Sequence, residues 1–115
     1  MKKSWLFAVV FIVTAHTASA GVYQNGSFKV ESIRLAASGT YVRFDPAPTA
    51  CEGGDHYRMH ALISNENPNA DKVVSTLLAA YAADLKFQYL WFSNDGVQCS
   101  TTHILTLEMI ELKHK

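Results

Sequence analysis

The chain reads as mostly β with one helix: a small five-stranded barrel of element order βββαββ, held by one disulfide. Three observations predict this. Short runs of alternating apolar and polar residues, bounded by turn residues, lie on both sides of a single stretch with helical spacing. Two cysteines, Cys51 and Cys99, fall between the strands. The start of the chain reads as an export leader, which puts those cysteines where disulfides form.

The leader comes first. Lys2 and Lys3 precede an apolar run from Trp5 to Val13, which Thr14, His16 and Thr17 break. Ala18-Ser19-Ala20 then offers the small residues a signal peptidase reads. This is the pattern of a Sec-type signal peptide with cleavage after Ala20. The run is too short to span a bilayer, which takes about 20 apolar residues. An uncleaved N-terminal anchor is the alternative. Gly21, not a Cys, directly follows the cleavage site, and no second hydrophobic span exists. The expected product is one domain over residues 21–115, periplasmic or secreted, with no stable membrane insertion.

The whole chain carries 10 basic and 10 acidic residues. Without Lys2 and Lys3 the count is 8 against 10, a net charge of −2. A basic patch for nucleic acid is therefore not expected. Cys51 and Cys99 form an even pair in an exported chain and read as a disulfide. Closing a loop of about 50 residues is worth roughly 4 kcal/mol by chain entropy. Reactive thiols are the alternative, and the wide spacing without Cys-x-x-Cys speaks against them.

Along the domain, Gly21 to Ser27 is small and polar and is expected to be loosely held. Phe28 and Val30, then Ile33 and Leu35, alternate with Lys29, Glu31 and Arg34. The phase slips near Ser32, which predicts a bulged first strand. Ser38-Gly39 signals a turn into a second strand over Tyr41 to Phe44. Asp45 to Asp55 is a loop with Pro46, Pro48 and Gly53-Gly54. Tyr57 to Ile63 reads as the third strand, with Tyr57, Met59, Ala61 and Ile63 on one face. The helix starts at Asn67, followed by Pro68, or at the competing cap Asn69. Asp71 suits its N-terminal end. Val73, Val74, Leu77, Leu78 and Tyr81 give the expected buried stripe, and the helix ends near Asp84. Phe87 to Phe92 is an aromatic fourth strand, with Phe87, Tyr89 and Trp91 on one face and Gln88, Leu90 and Phe92 on the other. Asp95-Gly96 is a hairpin signal. Ile104 to Leu112 is the fifth strand, with a bulge expected between Met109 and Ile110. Strands apolar on both faces need two covers. The helix supplies one, and a partner subunit in a ring or other homo-oligomer would supply the other.

This order resembles the OB-fold, hence an OB-like barrel. Among exported bacterial proteins it is similar to the binding subunits of pentameric toxins. That resemblance implies a disulfide-bonded barrel with a helix-lined pore and glycan-binding surfaces. Leu77-Leu78-Ala79-Ala80-Tyr81-Ala82, an aromatic strand and a Cys-containing turn also resemble a family of short, uncharacterised exported proteins of Gram-negative bacteria. That family carries a Gly after the helix, where this chain has Asp84-Leu85.

Chemistry-bearing motifs are sparse. His56 and His60 on one strand would stand about 13 Å apart, too far to share an ion. With no metal-ligand spacing beside Asp55, they read as solvated or hydrogen-bonded histidines, and no metal or cofactor is expected. Ser38, Ser64, Ser93 and Ser100, the last near His103, lack a Gly-x-Ser-x-Gly elbow. A hydrolase is therefore the least supported class. Phe87, Tyr89, Trp91 and Phe92 on the aromatic strand offer a stacking platform for sugars or bases. Tyr89 and Trp91 of that strand, with Tyr41 and Arg43 on the second, are the candidate ligand-binding residues; Tyr23 and Asp45 add polar contacts. Core or subunit packing is the competing role for the aromatic strand. The expected function is a non-enzymatic, exported binding module for a glycan or protein ligand. The alternative is a periplasmic inhibitor or accessory protein acting on one protein partner, such as a host lysozyme, through a protruding loop at Asp45 to Asp55 or Ser93 to Thr102.

Overall fold

The computed structural model describes residues 21–93 and 97–113. The leader expected over residues 1–20 and the Asp95-Gly96 turn lie outside them. Five strands and one helix follow the expected order: β1 Val22–Ala36, β2 Gly39–Asp45, β3 Ala61–Ser64, α1 Ala70–Ala83, β4 Lys86–Ser93 and β5 Leu105–Leu112. A short 3-10 turn, Thr49–Cys51, lies between β2 and β3.

The sheet closes on itself in the order β1-β2-β3-β5-β4. All neighbours run antiparallel except β3 and β5, which pair in parallel through Ala61↔Leu105 and Leu62↔Thr106. Placing α1 between β3 and β4 lets the chain cross to the far side of the ring. This is the OB-like barrel that the element order predicts. At the β1–β2 hairpin, Gly39 (φ 156°) passes so close to β3 that a Cβ there would meet the Ile63 carbonyl oxygen at 2.4 Å. No other residue type fits that approach.

The interior is filled by side chains from every element. Val42, Phe44, Ile63, Leu77, Phe87, Leu90, Phe92, Leu105 and Leu107 are fully buried. The Phe44 ring meets Phe28 and Phe87 edge-on, with centroids 6.2 and 6.5 Å away. Each such buried ring is worth about 2–3 kcal/mol in transfer energy. Cys51 and Cys99, 48 residues apart, are bonded and belong to this core.

Several expectations change. The segment from Gly21 to Ser27 is largely strand rather than loose chain: Val22↔Phe92 through Asn25↔Tyr89 pair β1 with β4. Cross-strand pairing overrides a composition with no apolar alternation. The third strand is short. Tyr57 and Arg58 have φ of 53° and 72°, so the segment before Ala61 turns instead of extending. On α1 the buried residues are Val73, Leu77 and Ala80, while Leu78 and Tyr81 are exposed. The narrow stripe reflects a helix that rests on the barrel along one line.

In β4 the register against β5 slips between Phe87 and Tyr89. The extra residue turns Phe87 inward with Leu90 and Phe92, leaving Tyr89 and Trp91 on the outer face. In β5 the slip lies between Leu107 and Met109, slightly earlier than expected. The slip expected near Ser32 is present, between Val30 and Ser32. Asn69 occupies the N-cap position of α1 without a side-chain cap bond. Asn67 instead accepts the Asn69 N–H at 2.8 Å.

Candidate functional site

The four residues expected to bind a ligand are divided by β1. Tyr89 and Trp91 pair with Asn25 and Tyr23 on its first half, whereas Tyr41 and Arg43 pair with Arg34 and Ser32 on its second half. Asn25 and Ser32 are about 23 Å apart along an extended strand. The two groups therefore lie on different stretches of β1, with two bulges between them.

The first group forms an aromatic outer surface. The Tyr23 and Tyr89 rings stack with centroids 5.9 Å apart and planes 22° from parallel. Tyr23 is 60% exposed. The Trp91 indole lies over Gly21, where a Cβ would fall 1.9 Å from the ring. Glycine at position 21 therefore lets the indole lie against the backbone. Met109, half-exposed, is the β5 partner of Trp91. Tyr89 also lines a groove of about 570 Å³ between the first turns of α1 and the end of β5. Asn69, Lys72 and Thr76 form its helix wall, and Glu108 to Leu112 form its strand wall.

In the second group, Arg43 is bonded into the fold. The Arg43 Nε donates to Glu31 Oε1 at 3.1 Å. Its Nη1 donates to Asp55 Oδ2 and to the Arg58 carbonyl oxygen, both at 3.0 Å. The Tyr41 and Ser38 hydroxyls stand 3.4 Å apart. Arg43 thus ties the outer face of β2 to the segment over residues 55–58.

The sequence pattern marks that segment only as the start of a strand. The His56 N–H donates to the Met59 carbonyl at 3.0 Å, and the Met59 N–H donates back at 2.9 Å. Tyr57 and Arg58 between them are both left-handed. Positive φ at both central residues is the mark of a type I′ turn, which favours Asn-Gly. For bulky residues this conformation costs roughly 1–2 kcal/mol each. No Gly or Asn marks the turn, and the alternation Met59, Ala61, Ile63 hides it.

His60, next in the chain, is almost wholly buried. Its Nδ1 accepts the Phe44 N–H at 3.1 Å, so the proton of the neutral ring sits on Nε2. Burial, and then repulsion from Arg43, push its pKa below the ordinary value of 6.5, against smaller opposing pulls from Asp55 and Glu31. His56 is separate: its Nδ1 lies 3.1 Å from the Thr101 carbonyl oxygen. Among the described residues, no group of three or more His, Cys, Asp or Glu side chains is placed to hold a metal ion. No helix among them is long and apolar enough to cross a membrane. Comparison with known protein families, with curated proteins and with solved structures finds no match to this chain.

Proposed function

We propose that this protein is an exported, non-enzymatic binding module, periplasmic or secreted, whose ligand is a glycan or a protein. The observation that carries the reading is the stacked Tyr23–Tyr89 pair at the edge of the α1–β5 groove. Aromatic rings with one open face offer large apolar area at little entropic cost, and their hydroxyls supply hydrogen bonds at the rim. A sugar ring or an apolar side chain fits such a face. Export is supported by the leader-like residues 1–20 and by the buried Cys51–Cys99 bond. The exposed Leu78 and Tyr81 of α1 support a homo-oligomer packed through its helices, as the toxin-subunit resemblance implies.

The test is a glycan array followed by calorimetry on each hit, with the wild type and Tyr23→Ala. The expected result is binding weakened at least about fivefold by Tyr23→Ala, because stacked rings contribute roughly 1 kcal/mol beyond their buried area. Equal binding by both proteins would remove the aromatic face as the site.

A second reading, an inhibitor or accessory protein acting on a protein partner, is supported by the tied-down turn at Tyr57 and Arg58.

A further inference from the structure

The turn at Tyr57 and Arg58 combines strain, bracing and exposure. Both residues are held at positive φ, where a plain connecting turn would carry Asn or Gly. The bracing comes from several directions. Asp55 Oδ1 accepts the Arg58 N–H at 3.3 Å. Arg43 holds Asp55 Oδ2 and the Arg58 carbonyl oxygen at once. The His56 ring meets the Tyr57 ring edge-on, with centroids 4.6 Å apart. His56 also reaches the Thr101 carbonyl, in the segment that the Cys51–Cys99 bond clamps to this loop.

Such bracing presents two side chains outward. Tyr57 is 72% exposed. Arg58 is exposed, and among the described residues its guanidinium has no hydrogen-bond or ion-pair partner; its contacts run through its backbone. Tyr and Arg are the residue types that most often anchor protein interfaces. Holding them in one conformation before contact removes much of the ordering cost of binding. A free guanidinium selects carboxylates, which it grips through two parallel hydrogen bonds.

We propose that Tyr57 and Arg58 form a preorganised anchor that enters a carboxylate-lined cleft on a protein partner. This rests on the second reading above, that the ligand is a protein. Tyr57 would pack against the apolar wall of the cleft while Arg58 pairs with an Asp or Glu inside it.

The test places the photo-crosslinker benzoylphenylalanine at position 57 of the full chain, in the cells that make it, with positions 23 and 35 as comparison sites. The expected result is a protein adduct at 57 and none at 35. It should map to a partner segment containing Asp or Glu, and Arg58→Glu should reduce it at least tenfold. Arg58→Gly, which the positive φ accommodates, should reduce it similarly in a protein that melts no lower than the wild type. An adduct at 57 that both Arg58 variants leave intact overturns the proposal, as do adducts confined to position 23; either leaves a protein ligand standing. No adduct at any position removes both the anchor and the protein-ligand reading, and leaves the glycan.

Discussion

The backbone N–H of Phe44 donates to Nδ1 of His60 inside the barrel, at 3.1 Å. This bond needs an unprotonated ring nitrogen, so protonation of His60 must break it as well as bury a charge. The folded-state pKa lies below 6.5, chiefly through burial and then through Arg43. The unfolded chain takes up the proton near pH 6.5. Between that pH and the lower folded value, the unfolded state binds more protons, so stability rises with pH. The contribution is fully present above about pH 6.5 and is lost as pH falls through the folded value. Urea midpoints measured from pH 8 to pH 5 should show this fall. In His60→Asn, whose amide oxygen can take the Phe44 N–H, this part of the slope should vanish. An unchanged slope in that variant would assign the pH dependence to other groups.

The Cys51–Cys99 bond closes a loop that contains β3, α1 and β4. Chain entropy predicts about 4 kcal/mol for a loop of this length, with 2–5 kcal/mol usual for small exported domains. The double variant Cys51→Ser, Cys99→Ser should therefore lose most of the stability of a domain this size, which is typically about 5–10 kcal/mol. Denaturation with and without reductant measures the loss. Hydrogen exchange should locate it, with Met59 and Cys99 amides, bonded to His56 and Ala50, losing protection first.

Asp84 stands in the left-handed position at the C-terminus of α1, with φ 58°. Glycine is the usual residue there. The carboxylate also faces the negative end of the helix dipole. Its contact with Lys29 at 3.2 Å joins two well-exposed side chains and contributes little. Asp84→Gly should therefore be as stable as the wild type or more so, by about 0.5 kcal/mol once unfolded-chain entropy is subtracted. A thermal melt decides it. A clear loss of stability would mean that the Lys29 pair outweighs the backbone.

How much the sequence reveals follows the strength of local signals. Val42 and Phe44 in β2, and the run from Ala70 to Ala83, carry clean periodicities that match their elements. The cysteine pair follows from its setting between strands. Tyr89 and Trp91 lie on the outer face, but Phe87, placed on the same face by the sequence pattern, is core. One extra residue at a bulge reverses every side chain beyond it, and no residue type marks the position. Residues 22–27 gain strand structure only from β4, a partner more than sixty residues away in the chain. The Tyr57–Arg58 turn is the hardest to foresee. Its conformation is imposed by Arg43 and Asp55 against the preference of its own residues.

Arg43 itself yields the last prediction. Its place on β2 suggests a residue for a ligand, yet its bonds are spent on Glu31, Asp55 and the Arg58 carbonyl. About a third of the side chain is exposed, so solvent screening reduces what these bonds are worth. Arg43→Ala should cost about 1–2 kcal/mol, and Arg43→Lys less, because a lysine keeps the charge but cannot reach three acceptors from one fork. The local effect should be larger than the global one. Exchange at the Arg58 and Met59 amides should quicken well before the barrel loosens. His60 offers a second readout. Removing Arg43 takes away a repulsion and leaves Asp55 and Glu31 uncompensated, so the His60 pKa should rise toward 6.5 in an NMR titration. A His60 titration that does not move would mean that burial alone sets its protonation.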